Sequence, residues 1–178
     1  MAPPIGRVFD VAAHLLECAA LSLGEGAPAR ACVVPGQQVA WDNCCSGEQG
    51  GQLTVNVARL YPSRLFPDLD QGRPSNCIVP YMVVQYNITI LRCSPTQTDR
   101  GHPPSCASLS ANAELTLQDL ELVRLGVACC LLDEDTLTPL LGQPYSWVFG
   151  DSVTLGPEGG CAGSQLIVFV GMPPCYDC

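Results

Sequence analysis

The chain has 178 residues, enough for one domain with a sizeable core, and its 47% hydrophobic content argues for a folded protein. Only 14% of it is charged, against roughly 25% in typical globular proteins, which leaves neutral surface suited to burial against other chains. Seventeen acids oppose eight bases for a net charge of −9, and every base is an arginine. That balance provides no phosphate-neutralising face and argues against stable nucleic-acid binding, although an acidic wall lets DNA pass without sticking. Without lysine, a P-loop and Schiff-base chemistry are both excluded. No apolar run reaches the roughly 18 residues of a membrane span. The stretch Val11 to Leu23 is broken by His14 and Glu17 and flanked by a single Arg7, so it does not read as a signal peptide, and a cytosolic start is expected.

In chain order, a helix is predicted over residues 7–23. Val8, Val11, Ala12, Leu15, Leu16 and Ala19 share its apolar face, Asp10 lies near its start and Gly24 marks its stop. Residues 24–36 read as a turn-rich linker, and three strands are expected between residues 38 and 92. The first runs from Gln38 to Trp41 and is followed by a hairpin-like turn at 42–47. The second begins at Gln52, with Leu53, Val55 and Val57 on one face and Gln52, Thr54 and Asn56 on a wetter one, and closes at Pro62 and Pro67. The third runs from Ile78 to Arg92, with Met82, Val84, Tyr86, Ile88 and Ile90 opposite Gln85, Asn87 and Thr89. After a proline-containing loop at 93–107, a second helix is expected over 110–130. Ser110 is its N-cap, and its inner side is marked by Leu117, Leu120, Val123 or Arg124, and Val127. Two last strands, within 146–170, cover Ser146 to Leu155 and Gln165 to Val170 around a loop at Gly156-Pro157-Glu158-Gly159-Gly160. The expected architecture is one α+β domain over 1–178. Its mixed or antiparallel sheet packs against two helices in the order α-β-β-β-α-β-β.

Candidate chemistry is sparse. His14 sits in an apolar helix and reads as a packing residue, while His102 lies in a proline-rich loop. Asp133-Glu134-Asp135 reads as a solvated turn, and Asn87-Ile88-Thr89 matches a glycosylation acceptor but falls inside a strand. No Gly-x-Ser-x-Gly elbow occurs. No catalytic residue, cofactor or metal is assigned.

Twelve cysteines remain to be explained. Cys175-x-x-Cys178 offers one zinc-type pair, but Cys44-Cys45 and Cys129-Cys130 are adjacent, and neighbouring side chains diverge. Disulfides are the preferred reading, with Cys44, Cys45, Cys93, Cys106, Cys129, Cys130 and Cys161 as candidates. Cys44 or Cys45 could meet Cys129 or Cys130, and Cys93 could staple a loop to Cys106. Spacing alone does not fix the connectivity, and buried reduced thiols are the alternative. A chain made in a reducing cytosol and later released to air would meet both redox environments.

Several segments carry a resemblance: Trp41-Asp42-Asn43-Cys44-Cys45, Gly51-Gln52-Leu53-Thr54-Val55 and Leu60-Tyr61-Pro62-Ser63-Arg64-Leu65-Phe66-Pro67. Leu91-Arg92-Cys93-Ser94-Pro95-Thr96, Pro103-Pro104-Ser105 and Gly156-Pro157-Glu158-Gly159-Gly160-Cys161 belong with them. Together they resemble head-to-tail connector proteins of long-tailed phages infecting actinobacteria, such as mycobacteriophages, over roughly residues 8–171. The chain departs from that pattern at Gly163-Ser164-Gln165-Leu166, where a second Gly-Gly and a Trp are expected, and from Met172 to Cys178. The resemblance implies a virion protein of the neck, assembled in the host cytoplasm as a ring around a DNA channel. The element order is similar to that of tail terminators, whose homohexameric ring caps the tail tube and meets the head-side stopper. Its implied partners are copies of itself, the adjacent neck ring and the tail tube protein, with DNA passing through the lumen and no membrane contact. The ring position is left open by the resemblance, so a stopper or adaptor ring is an alternative. Outside the neck, a disulfide-rich structural protein, a zinc domain or an enzyme would be distinguished by a monomeric state, by one metal per chain or by converging titratable groups.

Overall fold

A computed structural model describes residues 7–38, 44–46, 50–69, 81–97, 101–132 and 145–172. Helix α1, Arg7–Leu23, buries Val11, Ala12, Leu15, Cys18, Ala19 and Leu23, the stripe its helical periodicity dictates. It ends where Gly24 turns to φ +56°, a left-handed backbone that glycine adopts without steric penalty. Strand β1, Arg30–Pro35, then occupies residues expected to be linker. The β-branched Val33 and Val34 between Pro28 and Pro35 suffice for an outer strand, although six residues are too few to show a pattern. Gln38 lies in a loop, and the rest of the strand expected at Gln38 to Trp41 lies outside the described residues. Strand β1 pairs in parallel with β2, Gln52–Ser63. The two cannot be joined by a hairpin, so the turn expected around 42–47 belongs to a crossover, within which Cys44 and Cys45 form a turn.

Strand β3, Tyr81–Cys93, runs antiparallel to β2 and to β5, Cys161–Met172, and β4, Ser146–Glu158, lies outside β5. The five-stranded mixed sheet has the order β1-β2-β3-β5-β4. With α2, Cys106–Leu132, the chain is α+β in the order α-β-β-β-α-β-β. Helix α2 starts four residues before the expected Ser110, because Ser105 Oγ accepts the Ser108 N–H at 3.1 Å and caps the first turn. Strand β4 runs through Pro157 to Glu158, leaving a two-residue turn at Gly159-Gly160. Both glycines have positive φ, as the tightest hairpins require. Strand β5 therefore begins at Cys161 rather than Gln165.

Both helices pack on one face of the sheet, α1 over β1–β3 and α2 over β3–β5. They approach each other closely at Gly126, where a Cβ would collide with the Cβ of Ser22. The core between helices and sheet contains Leu53, Val55, Val84, Tyr86, Ile88, Ile90, Leu166, Val168 and Val170. Tyr86 donates its hydroxyl to the Val8 carbonyl at 3.0 Å, so this buried phenol is satisfied. The inner side of α2 is Thr116, Asp119, Val123, Val127 and Leu131, while Leu117 and Arg124 are exposed. Asp119 takes an inward position because Arg92 of β3 reaches it with two hydrogen bonds, 2.7 and 3.1 Å. The ion pair supplies the charge compensation that a buried carboxylate needs.

The opposite face carries Gln52, Thr54, Asn56, Gln85, Asn87 and Thr89. It was expected to be wetter, yet all six are buried, Asn56 completely. A run of amides satisfies them. Arg59 Nε donates to Gln85 Oε1 at 2.8 Å, Gln85 Nε2 to Asn87 Oδ1 at 2.9 Å, and Gln165 Nε2 to Thr89 Oγ1 at 3.1 Å. Asn56 Nδ2 donates to the Gly36 and Gln38 carbonyls. A bulge at Ala58 shifts the register between Val57 and Arg59. The extra residue turns Arg59 onto this polar face beside Gln85.

Candidate assembly surface and disulfide clamp

The divergence of adjacent side chains, which disqualifies Cys44-Cys45 as a zinc knuckle, lets the pair bridge two strands. Cys44 bonds to Cys161 at the start of β5, with Cα atoms 5.4 Å apart, and Cys45 bonds to Cys93 at the end of β3, at 4.6 Å. Cys93 and Cys161 are themselves register partners, so two consecutive residues clamp one rung of the β3–β5 ladder. Around the clamp, Cys44, Leu91 and Cys161 form a second small core with Leu155 against it. Gly51, at φ +112°, lies so close to the Leu91 carbonyl that a Cβ would strike its oxygen. A third disulfide, Cys18–Cys130, ties α1 to α2 with Cα atoms 6.2 Å apart.

These pairings differ from the expected ones. Cys44 and Cys45 do not meet Cys129 or Cys130, because the clamp and the helix pair lie on different elements. Cys93 is taken by Cys45, so it does not staple a loop to Cys106. Cys106 and Cys129 are exposed free thiols on α2, and Cys32 on β1 is a half-buried one. Cys18 was absent from the candidates. Its place four residues after His14 on α1 was a readable signal, because i and i+4 share a helix face, but its partner 112 residues away was not. His14 lies half-buried with Nε2 3.5 Å from Cys18 Sγ, and His102 is exposed. Asn87 is buried in the middle of β3, a poor position for a glycan. The acidic triplet 133–135 and the Cys175 and Cys178 pair lie outside the described residues.

The outer surface of α2 carries a row of exposed apolar residues. Leu115, Leu122, Leu125, Cys129 and Leu132 stand at alternating intervals of seven, three, four and three residues, with Gln118 completing a continuous three–four repeat. All are exposed, Leu125 by 64% and Leu132 by 69%. A single apolar face accounts for an ordinary surface helix, and α2 presents this second one in addition to its buried side. Over the first half of α2 and the β4–β5 turn runs a cleft of about 370 Å³, lined by Leu109, Asn112, Ala113, Thr116, Leu155 and Pro157.

Exposed charge of both signs lies on each side of the sheet. Glu114, Glu121, Asp151 and Glu158 share the α2–β4 side with Arg124, and Arg30, Arg59 and Arg64 share the β1–β2 side with Glu25 and Asp68. No helix among the described residues is long and apolar enough to cross a membrane. No protein-family model matches the sequence, and no curated protein matches it either.

Proposed function

We propose that this chain is a structural ring subunit of the head–tail junction of a long-tailed phage, in the role of the tail terminator that caps the tail tube and joins it to the head-side connector. The observation that carries the reading is the exposed leucine stripe of α2. Its repeat is that of a helix seam, and its size and continuity mark a surface made to be covered. The cover is a second copy. The leucine stripe lies on α2 at one side of the subunit, and a stripe that meets an unlike surface of the next copy associates head to tail and forms a ring when the rotation closes. The net charge of −9 suits a lumen through which DNA must slide without adhering. The three disulfides among the described residues suit a part that must persist outside a cell.

The test is the oligomeric state at micromolar concentration by light scattering, followed by electron microscopy of the protein and of particles. A closed ring, six-fold for a terminator, is expected, together with matching density at the particle neck. Leu122→Glu combined with Leu125→Glu should yield monomers with unchanged circular dichroism. A wild-type protein that remains a lone subunit, or particles without it, overturns the reading.

A further inference from the structure

His14, Cys18 and Cys130 converge at one point between the helices, and all three ligand atoms lie within 4.8 Å of one another. We propose that when the Cys18–Cys130 disulfide is reduced, these residues form a binding site for a thiophilic divalent cation, zinc above all, which takes over the disulfide's place between α1 and α2. The inference stands on this geometry alone and does not depend on the ring.

The argument begins with the helix. Positions 14 and 18 are one turn apart on the same face, so an imidazole and a thiol there reach the same point without backbone adjustment. Nε2 of His14 already stands 3.5 Å from Sγ of Cys18. A tetrahedral zinc with bonds of about 2.3 Å to sulfur and about 2.0–2.1 Å to nitrogen separates those ligands by about 3.6 Å, and two sulfurs by about 3.8 Å. The His–Cys pair therefore has the ligand spacing before any metal arrives. The two sulfurs must move apart, and breaking their bond permits that by side-chain rotation. Cys130 is held on α2 by its neighbours Val127 and Leu131, which are packed in the core.

The chemistry balances in two steps. Two electrons and two protons from a small dithiol convert the disulfide into two thiols, and the dithiol closes to its own disulfide. The cation then binds both thiolates and the neutral imidazole, displacing the two thiol protons to solvent. Cys130 and His14 are half-buried, so reductant and ion have access, and a water completes the tetrahedron. Oxidation reverses the exchange and releases the ion. The two helices are thus joined at the same point under either redox condition.

The test uses the full-length chain carrying Cys175→Ser and Cys178→Ser, which removes the terminal Cys-x-x-Cys as a competing ligand pair. It also carries Cys44→Ala, Cys45→Ala, Cys93→Ala and Cys161→Ala, which removes the four adjacent thiols that reduction of the clamp would release. An unchanged circular dichroism spectrum shows that it folds. It is reduced and kept anaerobic, with cobalt(II) and zinc(II) salts as the probes. One cobalt per chain is expected, with the intense visible bands of a tetrahedral ion and a thiolate charge-transfer band, both bleached by one equivalent of zinc. The oxidised chain should show neither. His14→Ala, a substitution α1 tolerates because alanine favours helix, should abolish the bands while its oxidised form retains the Cys18–Cys130 bond in a peptide map. Cys130→Ser gives the same reading from the other helix. Zinc should also protect Cys18 and Cys130 of the parent, but not Cys18 of His14→Ala, from iodoacetamide at least tenfold. Cobalt bands of equal strength in His14→Ala and the parent would overturn the proposal. So would equal alkylation of Cys18 and Cys130 with and without zinc.

Discussion

The two faces of the sheet are both buried but are held by different forces. On the helix face, Val55, Ile88, Leu166 and their neighbours gain stability from area removed from water, a contribution that depends little on direction. On the other face, Asn56 and Asn87 are register partners. Around them, Arg59 donates to Gln85, Gln85 to Asn87, and Gln165 to Thr89. Each bond there contributes little net stability, yet each is costly to leave unmade. A strand that slips by one residue would bring apolar side chains to the amides and amides to the core. The helix face therefore supplies most of the stability, while the amide face penalises every register but one.

That contrast can be broken in order of expected effect. Asp119→Ala leaves Arg92 without its buried counter-charge where the apolar layer ends, and should lower unfolding stability by about 3–5 kcal/mol in denaturant titration. Ile88→Ala opens a cavity in the helix-face core and should cost about 2–5 kcal/mol by the same measurement. Asn87→Ala leaves the Gln85 amide without its acceptor. It should cost about 1–3 kcal/mol, and combined with Gln85→Ala it should cost clearly less than the sum of the two. Full additivity would show that the amides do not act as a network.

Tyr86→Phe is the mildest change, about 0.5–1.5 kcal/mol for one lost hydrogen bond, but it carries a pH signature. Burial pushes the Tyr86 phenol well above its ordinary value, so the folded state holds its proton where the unfolded chain releases it. This contribution is fully present below about pH 10, the unfolded tyrosine value, and is lost as pH rises beyond it towards the folded value. Denaturant midpoints followed from pH 9 to 11 should fall more steeply for wild type than for Tyr86→Phe.

How much of this was legible depends on the length of the repeat. The alternation at Leu53, Val55 and Val57 and at Val84, Tyr86, Ile88 and Ile90 gave strands β2 and β3 and their faces directly. The spacing from Val11 to Ala19 gave α1. Strand β1 was hidden because six residues between prolines resemble a linker, and parallel pairing leaves no turn signature. The start of β5 was hidden by Ala162, Gly163 and Ser164, which look like loop. Gly163 is needed there because a Cβ would run into the Ile90 carbonyl. Polarity at Gln85 and Asn87 suggested water, since alternation distinguishes two faces without saying what covers either. Of the cysteines, the candidate set included Cys44, Cys45, Cys93, Cys130 and Cys161. Their pairing was illegible, because partners lie 48 to 117 residues apart and only the folded sheet brings them together. The three–four repeat on α2 was available to a reading of its leucines. It was masked because the same helix also turns apolar residues inward.

Placing two bridges on consecutive cysteines, with a third between the helices, has a consequence for a molecule exposed to proteases. The covalent loops closed by Cys18–Cys130, Cys45–Cys93 and Cys44–Cys161 overlap, leaving no peptide bond from Cys18 to Cys161 outside a closed circuit. A single nick anywhere in that span releases nothing. The nicked protein should run as one band on a denaturing gel and separate into two pieces only after thiols are added.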